Sequence, residues 1–289
     1  MSGLSMGGFT EHHFSGLSAA GFHRVRYLEW GASDGRPTVL CVHGLTRNAH
    51  DFDRLAERLA RRYRVISVDV VGRGGSAWLT DPAHYSYAQY QADITALIAR
   101  LDVERVHWVG TSMGGLIGMF LASVPDAPLA SLFMNDVGPI IPKAALQRIA
   151  DYVGLENRFS SLEAFERNMR KVHAAFGPLT DEEWAHLVRH GHRRLPDGSY
   201  GPAYDPAIVE NVKKGVADVD LWAFWDRIAI PTLVFRGADS DLLSAATART
   251  MSERGPHARI VEFAGIGHAP ALMAEDQIAV IEGWLAEQS

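Results

Sequence analysis

Short apolar runs alternate with longer amphipathic stretches along this chain, the pattern of a doubly wound, mainly parallel α/β sheet. Residues 25–30, 38–42 (TVLCV), 64–69 (RVISVD), 106–110 (VHWVG), 129–135, 232–236 and 259–263 are short, rich in β-branched positions and bounded by turn formers, so they are expected strands. Residues 52–61, 87–101, 113–123 and 277–287 carry apolar side chains at helical spacing and are expected helices. Strands that are apolar on both faces and separated by helices imply a sheet covered on both sides.

The alternation breaks between residues 137 and 226. Pro139 and Pro142 stand at the entrance, helical patterns cover 144–153 and 162–176, and Pro196-Asp197-Gly198 makes a polar turn. The reading is a helical cap over 137–226 inserted into an α/β core formed by 1–136 and 227–289. The insert's aromatic side chains need a surface to cover, and Phe159, Phe176 and Trp222 are expected to roof an apolar pocket.

Composition narrows the picture. The 289 residues are 47% hydrophobic and 21% charged. A chain of this size buries roughly 75% of its extended surface without metal or disulfide staples. With 28 Lys and Arg against 34 Asp and Glu, the net charge is −6 and no long basic run occurs, which argues against a nucleic-acid partner. One cysteine, Cys41, excludes an intrachain disulfide framework and any multi-cysteine metal site. The Gly- and Ser-containing start has neither a basic region nor an apolar stretch long enough for a signal peptide or membrane span, so a cytoplasmic location, no membrane partner and a monomer or homodimer are the expectations.

Gly110-Thr111-Ser112-Met113-Gly114 fits GxSxG and lies between an expected strand and an expected helix. A serine on so tight a turn has a strained backbone, needs small neighbours, and projects its hydroxyl above the carboxyl ends of the strands. The helix behind it offers free N–H groups and the positive end of a dipole to developing negative charge. His43-Gly44-Leu45 directly follows the strand at 38–42, which puts the Leu45 N–H beside that of Met113 as an oxyanion hole. His43 itself is expected behind this loop as a structural residue.

A base must reach Ser112 from a loop at the same sheet edge, and Gly265-Ile266-Gly267-His268 follows the last expected strand. An acid must orient that imidazole. Asp241 is preferred because Leu242 and Leu243 can anchor its loop while Ser244 caps the next helix. Asp239, earlier in the same turn, and Asp136, at the end of the strand at 129–135, remain alternatives; Asp136 could instead serve the hinge at Gly138-Pro139. His186 and His190 stand one helical turn apart, but no carboxylate or cysteine of matching spacing joins them or His192, so a solvated cap surface is expected rather than a metal site. Gly72-Arg73-Gly74-Gly75 follows a strand without a phosphate-binding lysine or helix pattern and reads as a surface loop; no cofactor is expected.

The order Ser112, Asp241, His268, with HGL upstream and a cap between nucleophile and acid, resembles the α/β-hydrolase fold superfamily from about Phe22 onward. The stretches NDVGPIIP, DGSYGPAYDP, RGADSDLLS and GIGHAPALM resemble a bacterial group of small carboxylesterases. The resemblance implies hydrolysis of short acyl esters, and of oligomeric or polymeric hydroxyacid esters in some members. It also matches the acid to the second aspartate of RGADSDLLS, Asp241. Arg47-Asn48 sits where the group has mouth residues, though an Arg capping the next helix is equally consistent. The expected activity is ester hydrolysis through an acyl-enzyme, on a small-molecule or oligomeric ester. C–C bond hydrolysis, lactone opening, cofactor-free haloperoxidation and ligand reception by a triad-bearing relative stay open, since the same three residues serve all of them.

Overall fold

The computed structural model describes residues 8–153 and 158–288. Its central sheet is eight-stranded: Phe9–Ser18 (β1), Gly21–Trp30 (β2), Thr38–Val42 (β3), Arg64–Val68 (β4), Val106–Thr111 (β5), Leu129–Asn135 (β6), Thr232–Gly237 (β7) and Arg259–Phe263 (β8), in the order β1-β2-β4-β3-β5-β6-β7-β8. β1 and β2 run antiparallel to their neighbours, and the strands from β4 across to β8 are mutually parallel.

The middle strands are apolar on both faces because both faces are covered. In β3 every residue is buried; Leu40 and Val42 enter one hydrophobic cluster while Val39 and Cys41 enter the other, the alternation that a pleated strand imposes. Asp53–Leu59 (α1) and the final helix, Glu275–Ala286, supply one cover. Tyr87–Leu101 (α2) and Met113–Ala122 (α3) supply the other. Helix α2 buries Tyr90, Ile94, Leu97, Ile98 and Leu101 along one stripe, and the Ser86 hydroxyl caps its start by accepting from the Gln89 N–H.

Between β6 and β7 lies a mostly helical insertion containing Lys143–Tyr152 (α4), Leu162–Val172 (α5), Asp181–Gly191 (α6), Val209–Lys214 (α7) and Trp222–Trp225 (α8). Helix α6 was not anticipated by apolar spacing; it is started by a reciprocal capping box between Thr180 and Glu183. The insertion is tied to the core by polar bonds: Asn48 Nδ2 donates to the His190 carbonyl, Arg54 pairs with Glu183, and Asn211 donates to the carbonyls of Pro82 and Tyr85. Among the described residues no helix is long and apolar enough to cross a membrane.

The expected solvated surface at His186, His190 and His192 is corrected here. His190 stacks on buried His50 with ring centroids 3.7 Å apart, and His186 Nε2 donates to the His50 carbonyl. Ligand atoms of His50, Asp53 and His190 lie within 4.8 Å of one another. The two imidazoles are, however, nearly face to face, 21° apart, and His50 Nδ1 already bonds Asp53. In-plane lone pairs on stacked rings do not converge on one ion, so the trio packs insertion against core.

Candidate active site

The turn between β5 and α3 shows why GxSxG needs its glycines. Ser112 sits at φ 50°, outside the regions a serine ordinarily occupies. A Cβ on Gly110 would stand 2.4 Å from the Gly114 carbonyl oxygen, and one on Gly114 would stand 2.0 Å from that of Val42. The strain holds the Ser112 hydroxyl clear of the strand ends, where Oγ lies 2.9 Å from His268 Nε2. The other ring nitrogen, Nδ1, lies 2.8 Å from Asp136 Oδ2.

Geometry therefore replaces Asp241 with Asp136 as the imidazole's partner. Asp136 is fully buried at the end of β6, with φ 54°, and accepts from the Gly237 N–H at 2.8 Å and the Ser240 hydroxyl at 2.6 Å. Asp241 instead forms a two-pronged ion pair with Arg148 of α4, both side chains nearly half exposed. Asp239 is also exposed. The RGADSDLLS stretch thus provides hydrogen-bond donors to the acid rather than the acid itself.

The Leu45 and Met113 N–H groups make no hydrogen bond among the described residues, and both residues line the cavity that holds Ser112. Behind them stands Arg73, which is fully buried and not part of a surface loop as its glycine setting suggested. Its guanidinium donates to the carbonyls of Leu45 and Val71 and to the Tyr90 hydroxyl, and it lies over the Tyr90 ring at 5.0 Å. Sequence reading missed this residue; a lone arginine among glycines after a buried strand was the available signal.

His43 is buried as expected. Nδ1 donates to the Gly44 carbonyl and Nε2 accepts from the Val70 N–H, so the neutral ring fastens the loop to the end of β4. Burial, partly offset by Asp69, pushes its pKa down to about 4. The unfolded chain binds a proton below about 6.5 that the folded chain refuses until about 4, so stability falls as pH drops through that window. Two to three pH units correspond to about 3 kcal/mol. Denaturant midpoints are expected to decline from pH 7 to pH 4.5, and less steeply in His43→Gln.

The cavity beside Ser112 has a volume of about 460 Å³. Its wall is mainly apolar, with Leu116 and Phe120 from α3 and Leu146, Ile149, Val212 and Leu221 from the insertion. The three aromatics expected as its roof are elsewhere. Phe159 meets Phe165 edge to face and lines a separate small cavity, Phe176 lies beside His173 and the Arg47 guanidinium, and Trp222 is covered by Arg254 at 4.5 Å. Aliphatic side chains of α4 and α7 take their place, while Phe159 packs within the insertion and Phe176 and Trp222 pack against Arg47 and Arg254 of the core.

Residues 37–273 match the alpha/beta hydrolase fold family. The chain is 42% identical over 273 residues to a 3-hydroxybutyrate-oligomer hydrolase of Cupriavidus necator, covering 91% of this chain and 93% of that one. It is 29% identical over 251 residues to an esterase of Mycobacterium tuberculosis, covering 83% and 80%. A solved alpha/beta hydrolase from Novosphingobium aromaticivorans superposes with a TM-score of 0.88 at 36% identity, over 99% of this chain and 100% of that one.

Proposed function

The chain belongs to the alpha/beta hydrolase fold family, and we propose that it is a serine-dependent hydrolase of carboxylic esters whose substrates include short linear oligomers of 3-hydroxyacids. The observation that carries the reading is the continuous line from Ser112 Oγ through His268 to Asp136, with steps of 2.9 and 2.8 Å, opening on an apolar cavity. The oligomer preference is supported by the name and 42% identity of the Cupriavidus necator relative.

In this reading His268 Nε2 takes the Ser112 proton as Oγ attacks the ester carbonyl. The carbonyl oxygen gains negative charge and is received by the Leu45 and Met113 N–H groups, while Arg73 pins the Leu45 carbonyl so that the loop keeps its place. Asp136 holds Nδ1–H and so keeps Nε2 free to act as base. The imidazolium then protonates the leaving alkoxide oxygen. Water, deprotonated by the same ring, hydrolyses the acyl-enzyme and returns the proton to Ser112.

The test is hydrolysis of p-nitrophenyl butyrate and of linear 3-hydroxybutyrate dimer and trimer by the purified protein; no turnover of any ester would overturn the reading. Chain-length choice should reside in the aliphatic wall. Each methylene leaving water gains about 0.8 kcal/mol, up to several-fold in kcat/KM per methylene. Leu146→Trp, which fills the cavity, is expected to lower octanoate relative to acetate hydrolysis by about tenfold or more. Trp222→Ala, away from the cavity, should leave that ratio near the wild-type value.

A further inference from the structure

A second cavity, of about 40 Å³, is lined in part by Thr46 and Arg47, the residues that follow Leu45. Its lining gathers polar groups out of proportion to its size: Thr46, Arg47, Tyr152, Asn168, His173 and Tyr204. The Arg47 side chain is only 6% exposed. Nε and Nη2 are spent on Asp51, at 2.9 and 2.6 Å, but Nη1 makes no hydrogen bond among the described residues. The same holds for the side chains of Asn168 and Tyr204 and the ring nitrogens of His173. The pair with Asp51 uses two of the guanidinium nitrogens, and the residue that carries the third lines a cavity with further polar groups around it. Arg47 and Tyr204 are buried and Asn168 and His173 half-buried, and polar side chains gathered without partners around one small cavity suit a polar ligand.

The position fixes what that ligand can be. A Cβ on Gly44 would stand 3.7 Å from Arg47 Cγ and 3.8 Å from Ser112 Cβ, so the Arg47 stem and Ser112 flank the same glycine. Burial, joined by the charges of Arg47 and His268, holds the His173 pKa well below the ordinary value. A neutral His173 donates one hydrogen bond without adding charge. In a 3-hydroxyacid oligomer the terminal carboxylate lies about four bonds, roughly 5 Å, beyond the carbonyl of the last ester. The small cavity is lined by Thr46 and Arg47, which follow Leu45 in the chain, and its volume suits a carboxylate and little more.

We infer that the small cavity binds the free carboxylate of the leaving hydroxyacid unit, through Arg47 Nη1 with Asn168, Tyr204 and His173, so that the oligomer is cut one unit from its carboxyl end. The inference rests on the ester-hydrolase reading for its substrate class, but the binding itself is measured without turnover. Asp51 already neutralises Arg47, which tunes the site to accept the anion reversibly and release the free acid after cleavage.

Binding of the linear 3-hydroxybutyrate dimer and of its methyl ester to Ser112→Ala, followed by calorimetry, decides the matter. The free acid is expected to bind about tenfold or more tightly than the methyl ester, the usual strength of a charge-assisted hydrogen bond. Arg47→Gln should erase that preference. Asp51→Asn, which removes the competing carboxylate and keeps the guanidinium, should increase it, and this variant decides the question if Arg47→Gln does not fold. Equal affinity for acid and ester in Ser112→Ala, or a preference that Asp51→Asn leaves unchanged or weakens, would overturn the subsite. Failure of the wild-type protein to hydrolyse p-nitrophenyl butyrate would instead overturn the ester-hydrolase reading, leaving acid-selective binding to be judged on its own.

Discussion

Ester hydrolysis by Ser112→Ala is expected to fall by about four to six orders of magnitude while the protein keeps its fold and melting temperature. The second half of that expectation follows from the turn. Ser112 is held at φ 50° by its neighbours, and alanine meets the same backbone strain there as serine. The hydroxyl makes no bond on which the fold depends; its partner is His268. The fold is held instead by the Ser112 N–H donating to the Asn135 carbonyl, and alanine retains that bond. Residual turnover would come from the free Leu45 and Met113 N–H groups acting on a bound ester with water as nucleophile, worth about 10³ to 10⁴ over solution. Single-turnover and steady-state rates on p-nitrophenyl butyrate, with a melting curve as control, check it. A folded Ser112→Ala protein with near wild-type turnover would remove the acyl-enzyme from the mechanism.

The sheet's interior was legible because its physics is local. A strand such as TVLCV, buried on both faces, leaves an unmistakable apolar run, and the expected 38–42 and 129–135 coincide with β3 and β6; 259–263 coincides with the edge strand β8, which keeps an apolar alternation. The edge strand β1 was not legible. Its FTEHHFSGLS sequence carries few apolar residues, since it is paired on one side only and much of it meets solvent, with His12 stacked on Tyr27 and Phe14 packed nearby. Glycine turns mark Ser112 and His268 in the sequence, and the structure brings the two within hydrogen-bond distance. The pocket wall could not, because aromatic content signals burial and not direction: Phe159 and Trp222 are packed against neighbours that only the three-dimensional arrangement supplies. Arg73 was misjudged for the related reason that burial of a charge depends on acceptors contributed by distant segments, here Leu45 and Tyr90.

Asp136→Asn is expected to lower kcat by about 10³ to 10⁴, and Asp241→Asn to leave it within about twofold of wild type. The sequence favoured the reverse, and the reason it did so is topological. β6 and β7 are adjacent and parallel, with Asn135 opposite Phe235, so the loops leaving both strands arrive at the same place above the sheet. Either loop can present an acid to His268, and nothing in residue spacing tells them apart. What separates them is hydrogen bonding. Asp136 is enclosed and receives the Gly237 N–H, the Ser240 hydroxyl and His268, three donors converging on one carboxylate. An asparagine there can satisfy the fixed Gly237 donor with its oxygen only by turning its own NH₂ toward the imidazole. Nδ1 must then accept, the proton moves to Nε2, and the ring can no longer take the Ser112 proton. Asp241→Asn breaks only an exposed pair with Arg148, an interaction worth about 0 to 1 kcal/mol and remote from the imidazole. Steady-state kinetics on one ester for both variants, with melting curves to show that each is folded, separate the two assignments. A large loss in Asp241→Asn together with a mild one in Asp136→Asn would return the acid to the β7 loop and require that loop to move toward His268 when substrate binds.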